Sequence, residues 1–198
     1  MTYLLSRGND FFTFPNTEVE LSGRSSRWYP KLGYNLKIDK DVGKLYGYRQ
    51  LKLRSLYSDP SYIREAIVLK TIGASGVPTT DFSFVRVFVN DSPAGLYGLV
   101  EIFKNPWIQN EFDHGDSDYK QGNLYQAMGG ESDILSDLSY YQNQTKYSEG
   151  QYKVKEDPSE GLPSLDPLIG LTRFVIDASN YDVTDWDKHF VMESLLRG

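Results

Sequence analysis

With 198 residues, 39% of them hydrophobic, the chain can bury one core or two small ones. A net charge of −6 and a pI near 5.0 exclude nucleic acid as the main partner, because phosphate backbones need a basic face. The absence of cysteine excludes disulfides and thiolate metal sites and leaves the redox compartment open.

No apolar run approaches the roughly 18 residues of a membrane span. Met1 to Asp10 holds a Tyr3-Leu4-Leu5 cluster but no apolar stretch of signal-peptide type. Thr17 to Ser22 alternates as a strand, Gly23-Arg24-Ser25-Ser26-Arg27 turns the chain, and Lys31 to Ile38 is the returning strand. Tyr34, Leu36 and Ile38 share one side of it, while Lys31, Gly33, Asn35 and Lys37 take the other. Leu51-Lys52-Leu53-Arg54 is a third short strand. A helix is expected from Asp59 to Ile72, with Asp59 capping, Pro60 in the first turn and Gly73 at the left-handed exit.

Phe84 to Val89 and Leu96 to Ile102 read as an antiparallel hairpin whose loop, Asn90 to Gly95, supplies Asn, Asp, Pro and Gly. From Asn105 the character changes. Asp113 to Gly161 is polar, tyrosine-rich and poor in aliphatics, so long loops with a short Asn123-Leu124-Tyr125 strand are expected. Two helices follow, about Leu165 to Ala178 and about Thr184 to Arg197, the second capped by Thr184. No internal repeat is evident. Fifteen tyrosines and two glycosylation triplets, Asn90-Asp91-Ser92 and Asn143-Gln144-Thr145, suit either a β-rich half or an extracellular surface.

Few residues carry chemistry. The histidines are His114 and His189, and no Gly-x-Ser-x-Gly elbow accompanies them, which argues against a Ser-His-Asp hydrolase. Asp113, Asp116 and Asp118 lack the spacing of a calcium loop and read as a solvated acidic segment. No carboxylate pair of glycosidase type stands out, and a carbohydrate-active protein is the weakest of the readings. The Gly23 to Arg27 turn can offer amides and two arginines to phosphates, or be a polar hairpin turn; it is not a Walker loop.

Glu65 is the conspicuous acid. At about 100° per residue it falls between Ile72 and Leu69, in the sector that holds Tyr62 and Ala66 and into which Lys70 also projects. A carboxylate there is costly unless a cation meets it or it snorkels to water. Protein kinases pair such a helix glutamate with a strand lysine that holds ATP phosphates. Lys31 and Lys37 lie on one strand face and either can reach Glu65; a structural arginine is the alternative partner.

The order of these pieces resembles the CotH family, the spore-coat protein kinases of bacteria and their fungal surface relatives. Gly23-x-Ser25-Ser26 with Pro30-Lys31 resembles the family's Gly-x-Ser-Ser…Pro-Lys segment, and Leu51 to Arg54 with Asp59-Pro60-Ser61-x-x-Arg64-Glu65 its helix start. Gly76-Val77-Pro78, Phe84 to Asn90 and Gly95 to Glu101 are similar to its next segments.

The resemblance implies an α+β, atypical protein-kinase-like fold: a β-rich N-terminal lobe with one long helix (1–103), then a loop-rich and helical part (104–198). It implies ATP with Mg²⁺, with Gly23, Ser25 and Ser26 over the nucleotide and Lys31 on phosphate, paired to Glu65. Glu101 to Phe103, and so Glu101 and Phe103, would be the hinge facing adenine. The activity implied is phosphorylation of Ser or Thr in spore-coat or surface proteins, at a spore coat or cell surface. The alternative is a non-enzymatic adhesin, invasin-like, that binds host-cell receptors, or a coat structural protein. The family's metal-holding and catalytic aspartates follow the last helix, beyond Gly198. Asp182, Asp185 and Asp187 do not match them, so this chain is expected to be a fragment without metal ligands.

Overall fold

The computed structural model describes residues 2–5 (as backbone), 11–127, 136–177, 186 and 188, and the chain divides into two compact units, Met1–Ser117 and Asp118–Arg197. In the first, β1 (Thr2–Leu5) pairs with β2 (Phe11–Phe14). Then β3 (Glu18–Ser22), β4 (Gly33–Lys37) and β5 (Gln50–Arg54) lead to α1 (Arg64–Ala74). After it come β6 (Phe82–Val89), β7 (Ser92–Glu101) and α2 (Trp107–Asp113). Five of these strands form one sheet in the order β3-β4-β5-β7-β6, antiparallel throughout. The fold class is α+β, as expected.

Alternation sets the two faces of this sheet. Leu36 of β4 opposes Leu51 of β5, and Leu53 opposes Tyr34 on one side and Leu99 of β7 on the other. These residues, with Phe14, Ile38, Leu45 and Tyr97, make the core of the unit. By the same register Glu101 opposes Leu51, which puts a carboxylate at the end of the core face. Arg54, opposite Gly98, belongs to the other face, where α1 meets the sheet.

The helix begins later than the sequence reading placed it. Asp59 to Tyr62 form a tight turn, with Tyr62 at φ 61°, and regular helix starts at Arg64. Asp59 still caps it: one carboxylate oxygen takes the Arg64 amide at 2.9 Å, and the other takes the Ser61 amide at 3.0 Å. The Ser61 hydroxyl, foremost, and these amides hold the Asp59 carboxyl below the usual carboxylate range. At the other end Gly73 stays helical, and the left-handed residue is Gly76 at φ 81°. The Val77 amide reaches the Ile72 carbonyl at 3.3 Å and the Gly76 amide reaches Gly73 at 3.0 Å, the paired bonds of a Schellman stop.

The hairpin is tighter than the expected six-residue loop. Asn90 and Asp91, at φ 48° and 64°, make a two-residue turn whose twist suits antiparallel strands. The register shifts between Val87 and Phe88, where Gly95 and Pro93 are the partners. The boundary expected after Phe103 falls ahead of α2, which is held to the sheet unit by two bonds: the Trp107 indole donates to Thr79 O at 3.2 Å, and the Asn110 amide donates to Gly47 O at 3.2 Å.

In the second unit the short strand expected at Asn123 to Tyr125 is β8 (Leu124–Ala127), paired with β9 (Tyr152–Glu156) in the stretch expected as loops, and α3 (Asp166–Ile176) follows. Its tyrosines build a core rather than a surface. Tyr147 is fully buried, its hydroxyl 2.6 Å from Thr172 Oγ1, and Tyr152 and Leu168 pack with it. The expected helix over 184–197, with its Thr184 cap, and Asp182, Asp185, Asp187 and His189 lie outside the described residues. Among the described residues no helix is long and apolar enough to cross a membrane.

Candidate functional site

The turn after β3 is built around Gly23. Its φ of +94° is in the left-handed region, and a Cβ there would lie 1.9 Å from Ser26 Oγ. Only glycine fits without moving Ser26. Ser25 to Trp28 then make a single 3₁₀ turn, and Arg27 folds back to donate to the Leu21 carbonyl at 3.2 Å. Ser25 is exposed, Ser26 half-buried, and Trp28 is 90% exposed.

Lys31 follows in the bend before β4. Its Nζ donates to the Leu96 carbonyl and lies 4.4 Å from the centre of the Tyr97 ring and 5.3 Å from that of Tyr62. Gly95 passes beside it with φ +113°, a left-handed backbone that favours glycine. Desolvation among these groups pulls the lysine below its ordinary pKa.

The expected Lys31–Glu65 ion pair does not form. Glu65 pairs with Arg54, Nε to Oε1 at 2.8 Å and to Oε2 at 3.0 Å. The reason is register: Arg54 stands on the sheet face under the first turn of α1, whereas Lys31 precedes β4 and is drawn to β7 and Tyr62. Lys37, the other nominated cation, pairs with Glu18 directly across β3 at 3.0 Å. The structural-arginine alternative is therefore the arrangement observed. Lys70 is exposed rather than turned inward, while Tyr62, Glu65, Ala66, Leu69 and Ile72 form the half-buried stripe.

Glu101 is the chemically demanding residue. It is 7% exposed, and its Oε1 has no hydrogen-bond partner. Burial, foremost, and the nearby carboxylates of Glu111 and Asp81 push its pKa up to about 8. The backbone around it is engaged: the Glu101 amide donates to Thr80 Oγ1 at 2.9 Å, and the Ile102 amide donates to Gln50 O at 2.9 Å. Phe103 is 42% exposed and meets the Trp107 ring edge-on at 4.7 Å. The signal for Glu101 was present in the sequence, since Tyr97, Leu99 and Glu101 alternate onto one face. Arg54 was legible as a strand residue, but not as the partner of Glu65.

Among the described residues no three carboxylate or imidazole groups come together to hold a metal ion.

The CotH kinase protein family matches residues 19–196, and the chain belongs to it. It is similar to invasin CotH3 and invasin CotH2 of Rhizopus delemar, each 26% identical over 148 residues, which is 74% of this chain and 24% of each relative. The chain thus spans about a quarter of the length of these curated relatives.

Proposed function

We propose that this chain is the nucleotide-binding portion of a CotH-type protein kinase, which transfers the γ-phosphoryl group of ATP to Ser or Thr of spore-coat or cell-surface proteins. The observation that carries the reading is the family match over residues 19–196. The local geometry agrees with it in kind. Lys31 is an ammonium held by a carbonyl and two ring faces, so a phosphate oxygen would replace a neutral acceptor with a charged one. Gly23 and Ser26 fix the shape of the neighbouring turn, whose backbone amides and Ser25 hydroxyl are the groups assigned to the phosphates. In this reading Glu65 positions α1 through Arg54 and does not touch Lys31, and Phe103 flanks the adenine. Phosphoryl transfer is mainly positioning and charge neutralisation, so Lys31 supplies binding and orientation.

The test is a thermal melt of the protein with ATP and magnesium. At about 100 times Kd a ligand stabilises by about 2.7 kcal/mol, which for a chain of this size raises Tm by roughly 5–10 °C. Lys31→Met is expected to abolish the shift while leaving the melt without nucleotide within about 1 °C. An unchanged Tm with ATP, or the same shift in the variant, would overturn the reading.

One observation favours a second reading. Both relatives are named invasins. A surface adhesin that binds host-cell receptors needs no phosphate site and would leave Lys31 on Leu96. It predicts attachment of the protein to host cells that is unaffected by Lys31→Met.

A further inference from the structure

The end of β7 carries a buried acid whose side chain the nucleotide reading leaves without a role, since a hinge there would offer backbone groups to adenine. A cavity of about 250 Å³ opens between the end of α1, the Thr79-Thr80-Asp81 segment, β7 and α2. Glu101 lines it, and so do Asp81, Glu111, Tyr48, Asn110 and Trp107. Asp81 and Glu111 are exposed at its edge, whereas Glu101 and Trp107 are 7% exposed. One carboxylate is therefore buried with an unpartnered oxygen, and two more of the same sign stand at the opening.

An ionised carboxylate in this place is costly unless a positive charge enters, and without one the carboxyl keeps its proton. Like charges nearby add to the cost. Ion pairs within the first unit include Lys37–Glu18, Arg54–Glu65 and Arg64–Asp59, and among the described residues no cation pairs with Glu101. The carboxylates do not converge as a metal ligand set. The cavity is larger than a bare ion needs, and it is walled by the rings of Trp107 and Tyr48. A planar cation that accepts a carboxylate at its edge and aromatic carbon on its faces is the matching chemistry.

We propose that this cavity is a binding pocket for a guanidinium group, with Glu101 as its counter-ion and Asp81 and Glu111 guiding its approach. Binding requires ionised Glu101, so the proton on the carboxyl leaves to solvent as the cation enters. The groups that set this exchange are Glu101, Asp81, Glu111 and Tyr48, whose phenol is raised by burial and then by the same three carboxylates. Lys31 and the Gly23 turn take no part, so loss of guanidinium binding in Glu101→Gln and loss of the ATP shift in Lys31→Met are separate readouts.

The probe is N-acetyl-arginine methylamide, titrated into the protein at low salt and followed by the Trp107 indole resonance. Saturable binding is expected, with affinity rising about tenfold per pH unit from 6 towards 8 and levelling above it. The neutral isostere N-acetyl-citrulline methylamide is expected to bind at least tenfold more weakly. Glu101→Gln, which imitates the protonated carboxyl and so leaves the fold intact, is expected to lose at least tenfold in affinity. Asp81→Asn and Glu111→Gln should lose about twofold to fivefold each. Tighter binding of blocked arginine than of ethylguanidinium assigns the occupant to a polypeptide, and equal binding assigns it to a small free cation; both support the pocket. Equal binding of the citrulline analogue, a flat pH dependence, or unchanged affinity in Glu101→Gln would overturn it.

Discussion

Two carboxylates of this chain invert the roles their sequence positions suggest. Glu65, set among apolar residues of a helix, invites the reading of a costly acid in need of a catalytic lysine. In the structure it is 28% exposed on its side chain and met by Arg54 at 2.8 Å, an ordinary tie between helix and sheet. Glu101, at the end of a strand and on the face of Tyr97 and Leu99, is the acid that burial and two like charges hold protonated near neutral pH. The difference teaches that helical periodicity locates an acid on a face but does not reveal what faces it. Strand register does: Leu51 opposite Glu101 settles that the carboxylate lies with the core.

The largest effect expected from this contrast is on stability against pH. Glu101 has a folded pKa near 8, above its ordinary value of 4.5, so the folded state binds the extra proton between those limits. Its contribution is fully present below about pH 4.5 and is lost as pH rises to about 8, a fall of a few kcal/mol in unfolding free energy. Denaturant unfolding of wild type and Glu101→Gln should therefore differ in slope, with the variant losing less stability over pH 5–8. Parallel curves would break the contrast.

Next in size is the cap that starts the helix carrying Glu65. Asp59→Ala removes the acceptor of the Arg64 and Ser61 amides and should lower the midpoint of denaturant unfolding. Asp59 has a depressed pKa, so its contribution is present above the ordinary value of 3.8 and is lost as pH falls below it. The two acids thus pull the stability profile in opposite directions. Smallest is Arg54→Ala, roughly 0.5 kcal/mol after solvent screening of a pair that is 42% and 28% exposed. A loss of several kcal/mol on Arg54→Ala would mean that Glu65, too, is a demanding acid.

Much of the sheet was legible from residues alone. Leu-Lys-Leu-Arg at 51–54 alternates, Phe-Val-Arg-Val-Phe-Val at 84–89 is rich in strand-forming residues, and both are strands in the structure. The helix was legible in its apolar stripe but not in its start, because Asp59-Pro60-Ser61 reads as a first turn of helix and is instead the turn before it. β1, β2 and β9 were missed, since Thr2–Leu5 and Phe11–Phe14 are four residues each and Tyr152–Glu156 sits in a polar stretch. The tyrosines around it suggested a surface, yet Tyr147 is buried because Thr172 satisfies its hydroxyl. Of the nominated residues, the turn at Gly23 was legible from its residue types, whereas the contacts of Lys31 with Leu96, Tyr97 and Tyr62 were not. The partner of Glu65 and the unpaired state of Glu101 depend on contacts between strands distant in sequence.

The central claim is that the demanding acid is Glu101. A carboxyl-carbon NMR titration of the ¹³C-glutamate-labelled protein, with Glu101→Gln to assign the resonance, measures it directly. A midpoint near pH 8 is expected for Glu101. A midpoint in the ordinary carboxylate range, near 4.5, would show that its carboxylate is solvated or paired and would contradict the account.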